Sequence, residues 1–300
     1  MRNFIVSDLH GDSNAYYSIM AYLENVSKES DDDLTLFING DLIDRGSESA
    51  SMLVDVMNRV NNGPFKIEYL GGNHELMMWQ TSLKRINGNW PLHSNWFRNG
   101  GDITAYSLKK IVSLEEENEI IDFVSNLKIY HKFEENLNGK NIVLVHAKCP
   151  HIVKEDCNLR IKDNNIEVNS LVWTRKESNL PIIERIGHKD YFTIIGHTPL
   201  RTKTGYEYYR KENYLNIDGG CAGYVIGLDG YDHIPLVEID NKNNRLIILT
   251  FNNNNEIIYG NYFIDGTSIA ITDLNRYRKY IDSNVKIKKL IKQDGVTFFE

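Results

Sequence analysis

The chain has 300 residues, a formal net charge of −7, 41% hydrophobic and 25% charged side chains. That balance supports a folded core of one large domain or two small ones, and it reads as globular rather than disordered. No run nears the roughly 18 apolar residues that a membrane span needs, and the acidic balance argues against a protein that coats nucleic acid.

The first elements alternate. Asn3 to Ser7 is a short apolar run that reads as a strand. Tyr16, Ile19, Met20, Leu23 and Val26 then recur at helical spacing behind Asp12 and Ser13, which offer an N-cap. Leu34 to Ile38 reads as a second strand. Leu53, Val54, Met57 and Val60 mark a second helix, ended by Asn61-Asn62-Gly63-Pro64, and Phe65 to Leu70 reads as a third strand. This alternation predicts right-handed crossovers and a largely parallel sheet.

Ser113-Leu114-Glu115-Glu116 is a capping box that opens a helix to about Leu127. Asn138-Gly139, between Ile129 to Glu134 and Ile142 to Val145, is a hairpin signal. Further strands are predicted at Tyr191 to Ile195, Tyr214 to Ile217, Tyr224 to Leu228, Pro235 to Ile239, Arg245 to Phe251 and Glu256 to Phe263. They suggest a second sheet packed on the first. The basic segment from Asp273 to Glu300 reads equally as helix or hairpin. Cys149, Cys157 and Cys221 are too few for a disulfide framework, and the apolar stretch at the N-terminus is too short for a signal peptide. A cytoplasmic setting is expected.

The polar residues that carry chemistry sit where apolar strands end. Ser7-Asp8-Leu9-His10-Gly11-Asp12 follows the first strand, Gly40-Asp41-Leu42-Ile43-Asp44-Arg45-Gly46 the second, and Gly72-Asn73-His74-Glu75 the third. His146 follows Ile142 to Val145, and Gly196-His197-Thr198 follows Phe192 to Ile195. Parallel strands share one carboxyl edge, where α/β folds place their sites. Two aspartates, an asparagine and three histidines would converge there. Carboxylate, imidazole and amide oxygen suit borderline divalent ions, and a bridging carboxylate can hold two of them close together.

The set SDLHGD, GDLIDRG, GNHE, LVHA and GHT resembles the phosphoprotein phosphatase branch of the calcineurin-like metallophosphoesterases, over Asn3 to Gly230. Arg98-Asn99-Gly100-Gly101-Asp102-Ile103-Thr104 is similar to a segment of its bacterial and phage-lambda type members. So is Val172-Trp173-Thr174-Arg175 with Ile217-Asp218-Gly219-Gly220. The resemblance implies an α/β sandwich of two mixed β-sheets flanked by helices. It implies a catalytic domain over residues 1–251, leaving 252–300 as a C-terminal extension with no assigned role.

The resemblance also implies two divalent metal ions, Mn²⁺ by family habit, with Fe, Zn²⁺ and Co²⁺ compatible. Asp8 and His10 would hold the first ion, Asp41 would bridge, and Asn73, His146 and His197 would hold the second. Arg45 and Arg175, with Asn73, are implied on the phosphate oxygens, and His74 as the general acid oriented by Asp44. Ser7 departs from the glycine usual in this branch. The implied reaction is hydrolysis of phosphoserine and phosphothreonine in proteins, by direct attack of a hydroxide bridging the two ions on phosphorus. A phosphorylated protein or small phosphoester is thus the expected partner, without membrane or nucleic acid. The nearest alternative is hydrolysis of dinucleoside polyphosphates, whose enzymes usually carry glutamine where this chain has His10. A catalytically silent binding module would normally lack a ligand or an arginine, and none is missing. Trp90, Trp96 and Tyr106 read either as packing or as the wall of a substrate groove. Asp218 reads either as a partner of a metal ligand or as a turn residue, and Cys221 as core.

Overall fold

β1 (Arg2–Val6) is buried at four of its five positions, so it needs a partner on each side and a layer on each face. In the computed structural model it has both. Residues 152–156, 161–165, 176–187, 200–209, 212–213, 229–232, 253–255, 265–266, 281–289, 294–295 and 300 lie outside the described structure.

α1 (Ser13–Glu29) starts where Asp12 accepts a hydrogen bond from the Ala15 N–H at 3.0 Å, and it buries the expected stripe of Tyr16, Ile19, Met20, Leu23 and Val26. β2 (Leu34–Asn39) runs parallel to β1. α2 (Ser49–Asn62) then leads to β3 (Lys66–Leu70), parallel to β2. After α3 (Asn73–Ser82), a helical turn over Phe97–Gly101, kinked at Gly100 (φ 93°), runs into α4 (Asp102–Ile111). α5 (Leu114–Ser125) opens on the Ser113/Glu116 capping box.

β4 (Tyr130–Leu137) and β5 (Lys140–Val145) close the hairpin over Asn138 and Gly139, whose φ angles of 53° and 75° suit a tight primed turn. α6 (Ile166–Trp173) precedes β6 (Tyr191–Ile195), β7 (Arg210–Lys211) and β8 (Tyr214–Asn216). β9 (His233–Asp240), β10 (Arg245–Asn252), β11 (Ile257–Ile264) and β12 (Thr267–Ala270) follow as a meander. β13 (Leu290–Gln293) and β14 (Val296–Phe299) form a separate hairpin beyond a helical turn at Asn275–Arg278.

The strands form one sheet in the order β12-β11-β10-β9-β1-β2-β3 and another in the order β4-β5-β6-β8-β7. Period-two alternation decides which side chain enters which layer. Ile5, Phe37 and Leu70 point between the sheets and meet Phe133, Leu144 and Ile194. Phe4, Val6, Leu36 and Ile38 point the other way, into the core shared with α1 and α2. Each such side chain contributes about 1.5–3 kcal/mol by leaving water. This is the α/β architecture of two mixed sheets flanked by helices.

Two expectations are corrected. The strands after residue 233 do not build the second sheet. β9 pairs antiparallel with β1 and carries β10, β11 and β12 with it, so the first sheet is mixed rather than largely parallel. Tyr224 to Leu228 is not a strand either. Gly220 takes a left-handed conformation (φ 81°) that starts a helical turn at Cys221–Tyr224, and Gly227 (φ 81°) continues the reversal. Glycines on both sides let the chain turn where its apolar side chains alone suggested extension.

Candidate metal centre

The five polar motifs follow the carboxyl ends of β1, β2 and β3 in one sheet and of β5 and β6 in the other. The loops are laced together by backbone bonds. The His10 N–H donates to Asp41 O at 2.9 Å, the Gly46 N–H to His10 O at 3.0 Å, and the Gly196 N–H to His146 O at 2.8 Å. Six of the nine non-glycine residues with positive φ among the described residues lie in these loops: Asp8, His10, Asp41, Asp44, Arg45 and His197. The other three are asparagines, which tolerate that region well. Such strain costs on the order of 1–3 kcal/mol per residue and persists where the surroundings enforce it.

Two groups of donor atoms emerge, each with its atoms within 4.8 Å of one another: His10, Asp41 and His74, and Asp41, His146 and His197. Asp41 belongs to both. Its Oδ2 lies 3.5 Å from His10 Nε2 and 3.4 Å from His146 Nε2. Backbone carbonyls select the tautomers. His10 Nδ1–H donates to Ile43 O at 3.0 Å and His146 Nδ1–H to Asn39 O at 2.9 Å, which turns both Nε2 atoms into the site. Asn73 joins the second group, its Oδ1 3.0 Å from His146 Nε2.

Asp8 stands at the side. Its two oxygens accept the His197 N–H at 2.9 and 3.0 Å, and Ser7 donates its hydroxyl to Oδ2. Gly196 is required for this arrangement, because a Cβ there would collide with the Asp8 carboxylate and the Ser7 hydroxyl. The third donor atom within reach of His10 and Asp41 is that of His74, while Asp8, the other donor expected beside His10, faces the His197 N–H.

Electrostatics in this closed space call for positive charge. Burial, then the Asp218 charge, pushes the Asp8 carboxyl well above its usual range. Burial works the same way on Asp41, but the His146 and His74 imidazoles hold its carboxyl well below that range. Burial opposes charge on His146, yet Asp41 and Asp8 push it up to about 10. His197, buried and beside His146, falls to about 2, so it stays neutral.

Both ring nitrogens of His197 are buried, with no hydrogen-bond partner among the described residues. Such atoms cost about 1–3 kcal/mol each unless something satisfies them. An imidazole lone pair left open, beside carboxylates that repel one another, fits divalent cations of the borderline class. Asp8, His10, Asp41, Asn73, His146 and His197 are the donors present for two such ions, and an ion entering at His146 would displace a proton.

The flanking groups are equally placed. His74 Nδ1 lies 2.6 Å from Asp44 Oδ2, and both residues are buried. Arg45 donates to His10 Nε2 at 2.7 Å and to His74 Nε2 at 3.0 Å, which puts its guanidinium across the mouth of the first group. Arg175, exposed just beyond α6, is close enough that its charge helps to depress His197.

Asp218 is buried and pushed up to about 7 by that burial, while its Oδ1 accepts the Gly220 N–H at 2.8 Å. Cys221 is buried as expected. Trp90 and Tyr106 line a hollow of about 250 Å³ with Leu92, Phe97 and Ala105. Trp96 is fully buried behind it and walls no groove.

One organising residue was quoted in a motif without a role. The Glu75 carboxylate, fully buried, accepts from the N–H groups of Asp41, Leu42 and Gly72 at 2.8–3.0 Å and from the Tyr69 hydroxyl at 2.6 Å. It therefore ties the Asp41 loop to the start of α3. Its position three residues after Gly72, where a capping-box acid belongs, was the available signal.

The model of one protein family, described as calcineurin-like phosphoesterase, matches residues 1–293. Among solved structures, a protein serine/threonine phosphatase from Saccharomyces cerevisiae with similarity to human phosphatase PP5 superposes with a TM-score of 0.53 at 16% identity, covering 84% of this chain and 80% of that one. A cold-active protein-tyrosine phosphatase of a psychrophile, Shewanella sp., superposes with a TM-score of 0.51 at 15% identity, covering 90% of this chain and 80% of that one. At such identity the likeness is one of fold. No curated protein matches the sequence. Among the described residues no helix is long and apolar enough to cross a membrane.

Proposed function

Since the chain belongs to the calcineurin-like phosphoesterase family, we propose that it hydrolyses phosphomonoesters on proteins, at phosphoserine and phosphothreonine, with two divalent ions bound. The observation that carries this reading is the His74–Asp44 pair, 2.6 Å apart, set directly beside the shared carboxylate of Asp41 and the guanidinium of Arg45. When bound, the two ions would acidify a water and cancel charge on the phosphoryl oxygens; Mn²⁺ is the ion we assign first.

The chain's own residues supply the rest. Arg45 and Arg175 are the cations available to grip phosphate oxygens, with planar forks that lysine cannot reproduce. Asn73 orients its amide oxygen toward the same space. His74, with Nδ1–H held by Asp44, would deliver a proton to the leaving oxygen from Nε2 after taking one there in place of the Arg45 contact, which the guanidinium gives up when it turns to the phosphate.

That proton argues for an alcohol. A serine or threonine alkoxide is a poor leaving group and needs protonation, whereas a phenolate departs more readily without it. The two structural neighbours are named as serine/threonine and tyrosine phosphatases, and the buried acid pair favours the first class.

A substrate panel on protein reconstituted with Mn²⁺ tests the proposal. Phosphoserine and phosphothreonine peptides should give the highest kcat/KM. A clear preference for phosphotyrosine peptide, free nucleotides or diadenosine tetraphosphate would overturn it.

A further inference from the structure

We infer that Trp96 and Thr104 are positioning residues for the proton-donating pair, holding the Asp44 carboxylate so that His74 must present Nε2 to the leaving group. The inference rests on the general-acid reading of His74. It gives a role to Thr104, the last residue of the Arg98-to-Thr104 segment.

Asp44 is fully buried, and both its oxygens are engaged from outside its own loop. Oδ2 receives His74 Nδ1 at 2.6 Å and Trp96 Nε1 at 2.8 Å, while Oδ1 receives the Thr104 hydroxyl at 2.6 Å. The Asp44 N–H in turn donates to Thr104 Oγ1 at 3.1 Å, which commits that hydroxyl's proton to the carboxylate. An indole N–H can only donate. With Trp96 donating to Oδ2 and Thr104 to Oδ1, the carboxylate acts as acceptor alone and His74 Nδ1 must carry the proton it shares. Arg45, also a donor only, faces Nε2 at 3.0 Å and agrees with that tautomer.

The clamp is itself rigid. Trp96 is packed against Trp90 and Phe97, with ring centroids 4.6 and 5.7 Å away. Gly101 lies so close under its indole that any Cβ would collide with the ring. Asp44 and Arg45 both hold positive φ, 75° and 71°. The Arg45 N–H is anchored on Gly100 O at 3.2 Å. Gly100 has φ 93°, and a Cβ there would lie 2.9 Å from Arg45 Cγ. The kinked turn at Phe97–Gly101 and the first turn of α4 therefore grip the Asp44–Arg45 step from its back, and the glycines make the approach possible.

The test compares Trp96→Phe, Thr104→Val and Thr104→Ser with wild type and His74→Asn, on a phosphoserine peptide and on p-nitrophenyl phosphate. Losing one hydrogen bond to a charged acceptor should lower kcat on the peptide roughly tenfold in Trp96→Phe and in Thr104→Val. KM and the p-nitrophenyl rate should change less than about twofold, since nitrophenolate leaves without a proton. Thr104→Ser keeps the hydroxyl and should behave as wild type. Independently of turnover, the downfield proton resonance of His74 Nδ1–H, identified by its absence in His74→Asn, should move upfield in Trp96→Phe and Thr104→Val. Equal losses on both substrates with an unmoved resonance would overturn the positioning role. If His74→Asn itself shows no preference between substrates, the general-acid reading fails and this inference with it. If His74→Asn shows the preference and both clamp variants do not, only the clamp fails.

Discussion

Asp41→Asn is expected to empty both metal positions, whereas Asp8→Asn weakens mainly one. A single oxygen, Asp41 Oδ2, faces His10 Nε2 at 3.5 Å and His146 Nε2 at 3.4 Å, so the same atom serves both donor groups. Its other oxygen accepts the His74 N–H at 3.0 Å and fixes the carboxylate's orientation. Asparagine keeps the volume but removes the charge and offers one ligating oxygen in place of two. The loss in affinity should exceed the roughly 10–100-fold typical of losing a mere outer partner of a ligand. Elemental analysis after equilibration with limiting Mn²⁺ decides the matter. Two retained equivalents at wild-type affinity in Asp41→Asn would remove it as the bridge.

His74→Asn should slow hydrolysis of a phosphoserine peptide far more than that of p-nitrophenyl phosphate. Nε2 is the atom left to deliver a proton once Asp44 holds Nδ1, and its value depends on how much the leaving oxygen needs that proton. The ratio of the two losses in kcat/KM should approach the roughly 10²–10⁴ that general acid catalysis supplies. Asp44→Asn should show the same bias more weakly, because the imidazole stays but loses its orienting partner. A histidine that only helps to start α3 would cost both substrates equally, and that outcome would sink the assignment.

Much of this arrangement was legible because it follows from local rules. Apolar strands ending in SDLHGD, GDLIDRG and GNHE place Asp8, His10, Asp41, Asn73 and His74 at one sheet edge once the strands are parallel, and they are. His146 and His197 follow by the same logic from β5 and β6. What stayed hidden depended on partners distant in sequence. Nothing local says that β9 will pair with β1, with Asn3 opposite Ile239, so the strands after His233 belong to a different sheet from the one expected. Trp96 offered no sign that its indole N–H would meet Asp44, 52 positions earlier. The positive φ values at six site residues are likewise a product of the folded loops. Three of the six are aspartates, which visit that region more readily than most residues, whereas Arg45 is held there by the surrounding bonds.

The protein is proposed to act as a phosphomonoesterase through two metal ions that share Asp41. Titrating the metal-free protein with Mn²⁺, while following phosphoserine-peptide hydrolysis and bound metal together, tests it most directly. Activity should be absent without metal and should saturate only when two equivalents are bound per chain. Full activity at one equivalent, or in chelator-treated protein with none, would contradict it.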